Sequence, residues 1–174
     1  MRFRDQDIVF ATGANGQSKG QNFEIPTANP ANYFHVISNS ADLPRLAIDG
    51  KLFLPASDQR KRNGKLPLVM VVPGSLGIAP SHLKHAETVV SDGFAAFVLD
   101  SFGARDVTST VANQTQFSFA ASAYDVLAAW KVLSAHPDID TSRIGAHHSS
   151  ASPMMTRISV SSTDGSRNWW PLQG

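Results

Sequence analysis

The sequence predicts an α/β domain, a mostly parallel sheet with flanking helices in three layers. Three observations carry this reading. Two apolar runs, Leu66–Val72 and Phe94–Leu99, are β-rich and lack polar alternation, as strands buried on both faces do. A segment with helical spacing follows each run. A third strand start, Arg143-Ile144-Gly145-Ala146, follows the second of these helices. Strand, helix, strand, helix, strand with short links is the pattern of right-handed βαβ units.

The elements follow in order. Residues 1–45 are punctuated by Gly13, Gly16, Gly20, Pro26 and Pro30 and read as an irregular N-terminal arm, with one short strand near Tyr33–Ile37. Leu46, Ile48, Leu52 and Leu54 alternate with polar residues and predict a half-buried strand or a hairpin turning at Asp49-Gly50. Asp58–Lys65 is polar and basic and reads as a solvated turn. Ser81–Ser91 reads as a helix with Leu83, Ala86, Val89 and Val90 inward and Gly93 as its stop. Ser101–Gln116 is a polar loop. Phe117–His136 is the strongest helix, with Phe117, Ala120, Ala121, Tyr124, Leu127, Ala128, Lys131 and Val132 on one face and Pro137 at its end. Together these give one domain: the arm at 1–45, sheet and helices at 46–146, and a tail of different character at 147–174.

Composition narrows the function. The chain has 174 residues, 42% apolar and 17% charged, an ordinary globular balance. Fifteen Lys and Arg against 14 Asp and Glu leave a net charge of +1, which argues against nucleic acid or an anionic membrane as the main partner. There are no cysteines, so thiol nucleophiles, disulfides and thiolate metal sites are excluded. No apolar run approaches the roughly 20 residues of a membrane span, and Met1–Asp7 does not read as a secretory signal. The expectation is a soluble, cytoplasmic protein.

In open parallel sheets, ligands collect at the carboxyl ends of the strands. Here those ends are Pro73–Gly77, Asp100–Arg105 and His147–Ser152. Pro73-Gly74-Ser75-Leu76-Gly77 is a glycine-rich turn whose backbone N–H groups suit an anion or an oxyanion, though it is neither a P-loop nor a dinucleotide fingerprint. Asp100 reads first as a turn cap. A serine presented after the third strand is a candidate nucleophile. His147 and His148 are neighbours on a strand and point to opposite faces, so no metal site is expected; no cofactor is expected either.

At this point the residues resemble a known family. Val71-Val72-Pro73-Gly74-Ser75-Leu76-Gly77, Asp100-Ser101-Phe102-Gly103-Ala104-Arg105, His136-Pro137 and Arg143-Ile144-Gly145 together are similar to the dienelactone hydrolase branch of the α/β-hydrolase superfamily. The likeness spans Leu66–Ser150, about half of the chain. It implies hydrolysis of a carboxylic ester or lactone through an acyl-enzyme. It places Ser150 at the nucleophile position and the backbone N–H groups of Ser75 and Ala151 in the oxyanion hole.

The chain also departs from that pattern. Pro73 replaces the leading His of the oxyanion turn, and His148 and Ser152 stand where the elbow has glycines. Only 24 residues follow Ser150, with Asp164 but no histidine among them, so the usual late acid and base are missing. The expectation is a partial fold, truncated after the elbow, with agreement ending near Ala146 through a frame change or a shortened gene. Little activity and self-association through an open sheet edge follow from it. The alternative is a non-catalytic fragment or a small-molecule or anion-binding module.

Overall fold

The structure is a computed structural model and describes residues 2–12, 16–38, 43–56, 64–149 and 158–160. Its centre is a six-stranded sheet. The strands are β3 (Gln21–Ala28), β4 (Arg45–Phe53), β5 (Leu66–Pro73), β6 (Ala95–Asp100), β7 (Ile139–Ser149) and β8 (Ile158–Val160), in spatial order β3-β4-β6-β5-β7-β8. A separate hairpin pairs β1 (Val9–Thr12) with β2 (Gly16–Lys19). The helices are α1 (Tyr33–Ser38), α2 (Pro80–Ser91) and α3 (Phe119–Leu133).

The expected α/β architecture is present. β5 pairs parallel with β6 on one side and with β7 on the other. β4 is antiparallel to β6 and β3 antiparallel to β4, so β3, β5, β6 and β7 share one direction. The chain leaves β5 for β6 and then crosses back to β7, beyond β5. Crossovers of one hand in opposite directions put their helices on opposite faces, and the packing agrees. Leu68, Met70 and Val72 of β5 and Ala95, Phe97 and Leu99 of β6 join Val126, Ala129 and Leu133 of α3 in one core. Val71, Ala96 and Val98 face the other way and join Ala86, Val89 and Val90 of α2, with Phe10 of the hairpin. Strict alternation of two apolar sets along β5 and β6 is what the continuous apolar runs encode.

Several expectations are corrected. The first 45 residues are not an irregular arm, because β3 is an eight-residue strand in full register with β4. Tyr33–Ser38 is a helix, not a strand. Asp49-Gly50 is not a hairpin turn; both lie inside β4, between Glu24 and Phe23 of β3 and Asp100 and Leu99 of β6. Gly50 is needed there because the Phe97 ring lies across it, and a Cβ would overlap that ring. The buried face of α3 is Ala120, Ala121, Asp125, Val126, Ala129 and Leu133, rotated from the predicted one, and Leu127 is exposed. Small alanines let the helix approach the sheet, and an aspartate occupies an inward position. β7 continues past Ala146 to Ser149 in register with Pro73. Along its outer edge β8 pairs antiparallel with Ile144–Ala146.

Other calls hold. Gly93 stops α2 in the left-handed region (φ +88°), its N–H bonded to Val90 O at 3.0 Å. Ser118 caps α3 through Ala121 N–H at 2.9 Å. Lys51 of β4 is buried but not wasted: its ammonium donates to Arg4 O at 3.0 Å and to Asn22 Oδ1, tying the N-terminal segment to the sheet. No described helix is long and apolar enough to cross a membrane. The turn read at Asp58–Lys65 lies mostly outside the described residues.

Candidate functional site

The sheet reverses its direction of winding at β5, with β6 on one side and β7 on the other, and a crevice forms at the carboxyl ends of strands at such a point. The structure has a cleft of about 200 Å³ there. Its floor is Pro73, Gly74 and Ser75 after β5 and His148 near the end of β7. Its wall is Phe102, Thr110, Gln114 and Phe117 from the loop after β6. The first turn of α3 closes it with Ser118, Phe119 and Ser122. The three strand ends singled out in the sequence therefore do converge, as far as each is described.

The cleft is held by specific bonds. Gly77 N–H donates to Gly74 O at 2.9 Å and closes the turn. Thr110 N–H donates to Ser75 O at 2.8 Å, which fixes the Ser75–Leu76 peptide against the opposite wall. Asp100 is a turn cap, as expected: Oδ1 accepts from Phe102 N–H at 3.3 Å and Gly103 N–H at 3.0 Å. Phe102 and Phe117 meet edge to face with centroids 5.1 Å apart.

Beneath the wall lies a buried ion pair. Arg105 Nη1 and Nη2 donate to the two Asp125 carboxylate oxygens at 2.8 and 3.0 Å. The same guanidinium donates to Ser101 O at 2.6 Å, Ala28 O at 3.0 Å and Asn29 Oδ1 at 3.2 Å. All five of its N–H groups are used. Thr27 Oγ1 donates to Asp125 Oδ1 at 2.7 Å, and the Asp125 side chain is fully buried. Burial pushes the Asp125 carboxyl up, and the Arg105 bonds oppose this. The Arg105 guanidinium also sits 4.9 Å from the centroid of the Phe117 ring. One pair thus ties β3, the post-β6 loop and α3 together behind the cleft. Sequence reasoning gives Arg105 no role and misses Asp125; the signal for the latter is an acidic residue four after Ala121 on an apolar face.

On the α2 face of the sheet three histidines, His82, His85 and His147, gather. His147 pairs in register with Val71, which faces α2, and His148 with Val72, which faces α3. The two therefore point to opposite faces, as expected. His85 and His147 rings lie 4.5 Å apart. His82, buried, accepts the Ala79 N–H through Nδ1 at 2.9 Å. Among the described residues no group of three or more His, Asp or Glu is placed to hold a metal. Burial, and then the charges of neighbouring histidines, hold His82, His85 and His148 below the usual imidazole value of 6.5. The unfolded chain then binds protons more readily than the folded one, so this cluster costs stability as pH falls through and below about 6.5. Burial raises Asp100 and acts in the opposite sense. A comparison of variants separates the two: the melting temperature of His85→Leu should fall less between pH 7.5 and pH 5.5 than that of the parent, by differential scanning fluorimetry. An equal fall in both would remove the histidine contribution.

Of the predicted site residues, Ser75 lies in the cleft. Ser150 and Ala151 lie outside the described residues, as do Ser152, Asp164 and Trp169-Trp170.

The chain is similar to dienelactone hydrolase-like and esterase structures. A dienelactone hydrolase-like promiscuous phosphotriesterase from metagenomic libraries is 20% identical, with a TM-score of 0.47 over 74% of this chain and 49% of its own. Esterase Est22 is 16% identical, with a TM-score of 0.48 over 75% of this chain and 34% of its own. DcsB, in complex with its substrate analogue, is 23% identical, with a TM-score of 0.46 over 74% of this chain and 36% of its own. The chain thus spans a third to a half of the length of these structures. No protein-family model and no curated protein matches it. At such identities the likeness concerns the fold and assigns no chemistry.

Proposed function

We propose that this chain carries the binding cleft and oxyanion turn of a carboxylic-ester or lactone hydrolase, with Ser150 as nucleophile. The supporting observation is the convergence of the Gly74–Ser75 turn and the end of β7 on one cleft at the point where the sheet reverses its winding. β7 is described to Ser149, and Ser150 is the next residue in the chain.

The roles follow from the chemistry of acyl transfer. Ser150 Oγ attacks the carbonyl carbon, the carbonyl oxygen becomes an oxyanion, and the N–H groups of Ser75 and Ala151 stabilise it, at roughly 3 kcal/mol for each donor. The serine proton needs an acceptor, and a serine without its base loses several orders of magnitude in rate.

The test is hydrolysis of p-nitrophenyl butyrate by the full chain. A rate above that of buffer is expected, falling roughly tenfold or more in Ser150→Ala. An unchanged rate in a Ser150→Ala protein with the parent circular dichroism spectrum would remove Ser150 from the reaction.

A further inference from the structure

The cleft also carries information about its ligand. Three aromatic rings, Phe102, Phe117 and Phe119, line it. Phe119 is 79% exposed, and Leu76 and Val111, each beside a lining residue in sequence, are 68% and 63% exposed. Large apolar side chains left in water around the mouth of a cavity mark a surface that a ligand covers. The polar groups are Ser75, Thr110, Gln114, Ser118 and Ser122, all uncharged, with His148. No Lys, Arg, Asp or Glu lines the cleft among the described residues.

Two nearby features would ordinarily favour an anion; the first is fully engaged and the second is capped in part. Arg105 lies behind Phe117, but its five N–H groups are bound to Asp125, Asn29 and two backbone carbonyls. The N-terminus of α3 opens on the cleft, but Ser118 Oγ accepts the Ala121 N–H at 2.9 Å and donates to Pro30 O at 2.5 Å. Burial keeps the His148 imidazole below its usual range, so at neutral pH it brings no charge.

We infer that the cleft binds a small uncharged ligand with an aromatic or short alkyl body and one carbonyl group, and rejects the same ligand bearing a carboxylate. The body lies against Phe102, Phe117 and Phe119, and the carbonyl meets the Gly74–Ser75 turn; that placement rests on the hydrolase reading. A carboxylate moved into the cleft leaves water without gaining a partner charge from the described lining. Neutral aryl or short-chain acyl esters are the substrate class this selects, against anionic lactones and phosphate compounds.

Binding is measured apart from turnover, with two amides the chain need not cleave. Butyranilide is neutral, and succinanilic acid is its analogue ending in a carboxylate. Calorimetric titration of the full chain at pH 7.5 is expected to show saturable butyranilide binding at least about tenfold tighter than succinanilate. Gln114 is exposed at the rim, and Gln114→Lys is expected to narrow that ratio. Succinanilate binding as tightly as butyranilide overturns the inference, as does no saturable binding of either. An unchanged ratio in Gln114→Lys shows the ligand sits elsewhere and also overturns it. Selective binding of butyranilide without hydrolysis of p-nitrophenyl butyrate would sink the hydrolase reading and leave the ligand class standing.

Discussion

Asp125→Ala lowers the free energy of unfolding by about 3–5 kcal/mol, measured by urea denaturation. The reason lies in what remains. Arg105 has 5% side-chain exposure and Asp125 none, so the truncation leaves a guanidinium out of water with no counter-charge. Thr27 Oγ1 loses its acceptor as well. A domain of this size holds roughly 5–15 kcal/mol in total, so one atom group accounts for a large share. The double variant Arg105→Met with Asp125→Leu recovers part of the loss, because no unpaired charge is left buried. Recovery is incomplete, because the carbonyls of Ala28 and Ser101 lose their donors. Arg105→Lys does not substitute: a single ammonium has three donors and cannot reach acceptors spread around a planar fork. If Asp125→Ala costs less than about 1 kcal/mol, the pair is not the tie between β3, the cleft wall and α3 that its geometry describes.

The same pair separates what the sequence makes legible from what it does not. Apolar runs at Leu66–Val72 and Phe94–Leu99 announce buried strands through local composition, and the helices between them announce their hand and layer through connection rules. The convergence of strand ends follows from that topology without any site chemistry. Arg105 and Asp125 are different. They are 20 residues apart, and Thr27 is 98 residues from Asp125. Nothing local marks them, because the information is in the packing of three elements. The N-terminal strand escapes for a related reason. Gln21–Ala28 is an edge strand, polar on its outer face and carrying Pro26, so its pattern is that of a loop until β4 is beside it. The rotation of the buried face on α3 has the same root, since an inward aspartate reads as outward until its arginine is known.

Gly50→Val lowers stability by about 2–3 kcal/mol through overpacking, a second large expected effect and one whose sign propensity alone gets wrong. Valine is the better strand former, and Asp49-Gly50 in isolation signals a turn. In the sheet, Gly50 sits between Phe23 of β3 and Leu99 of β6. The Phe97 ring covers its Cα, and Phe23 meets that ring edge to face with centroids 6.1 Å apart. Phe97 is completely buried and packed within the α3-side core, so it has no room to swing aside when a Cβ arrives. The glycine therefore supplies the space that a large ring fills, as glycines and aromatic residues do when paired across strands. Adding Phe97→Leu to Gly50→Val empties the contested volume, and the two changes together should cost less than the sum of each alone in a urea double-mutant cycle. Strict additivity would show that Gly50 and Phe97 do not compete for that space and that the loss comes from β4 itself.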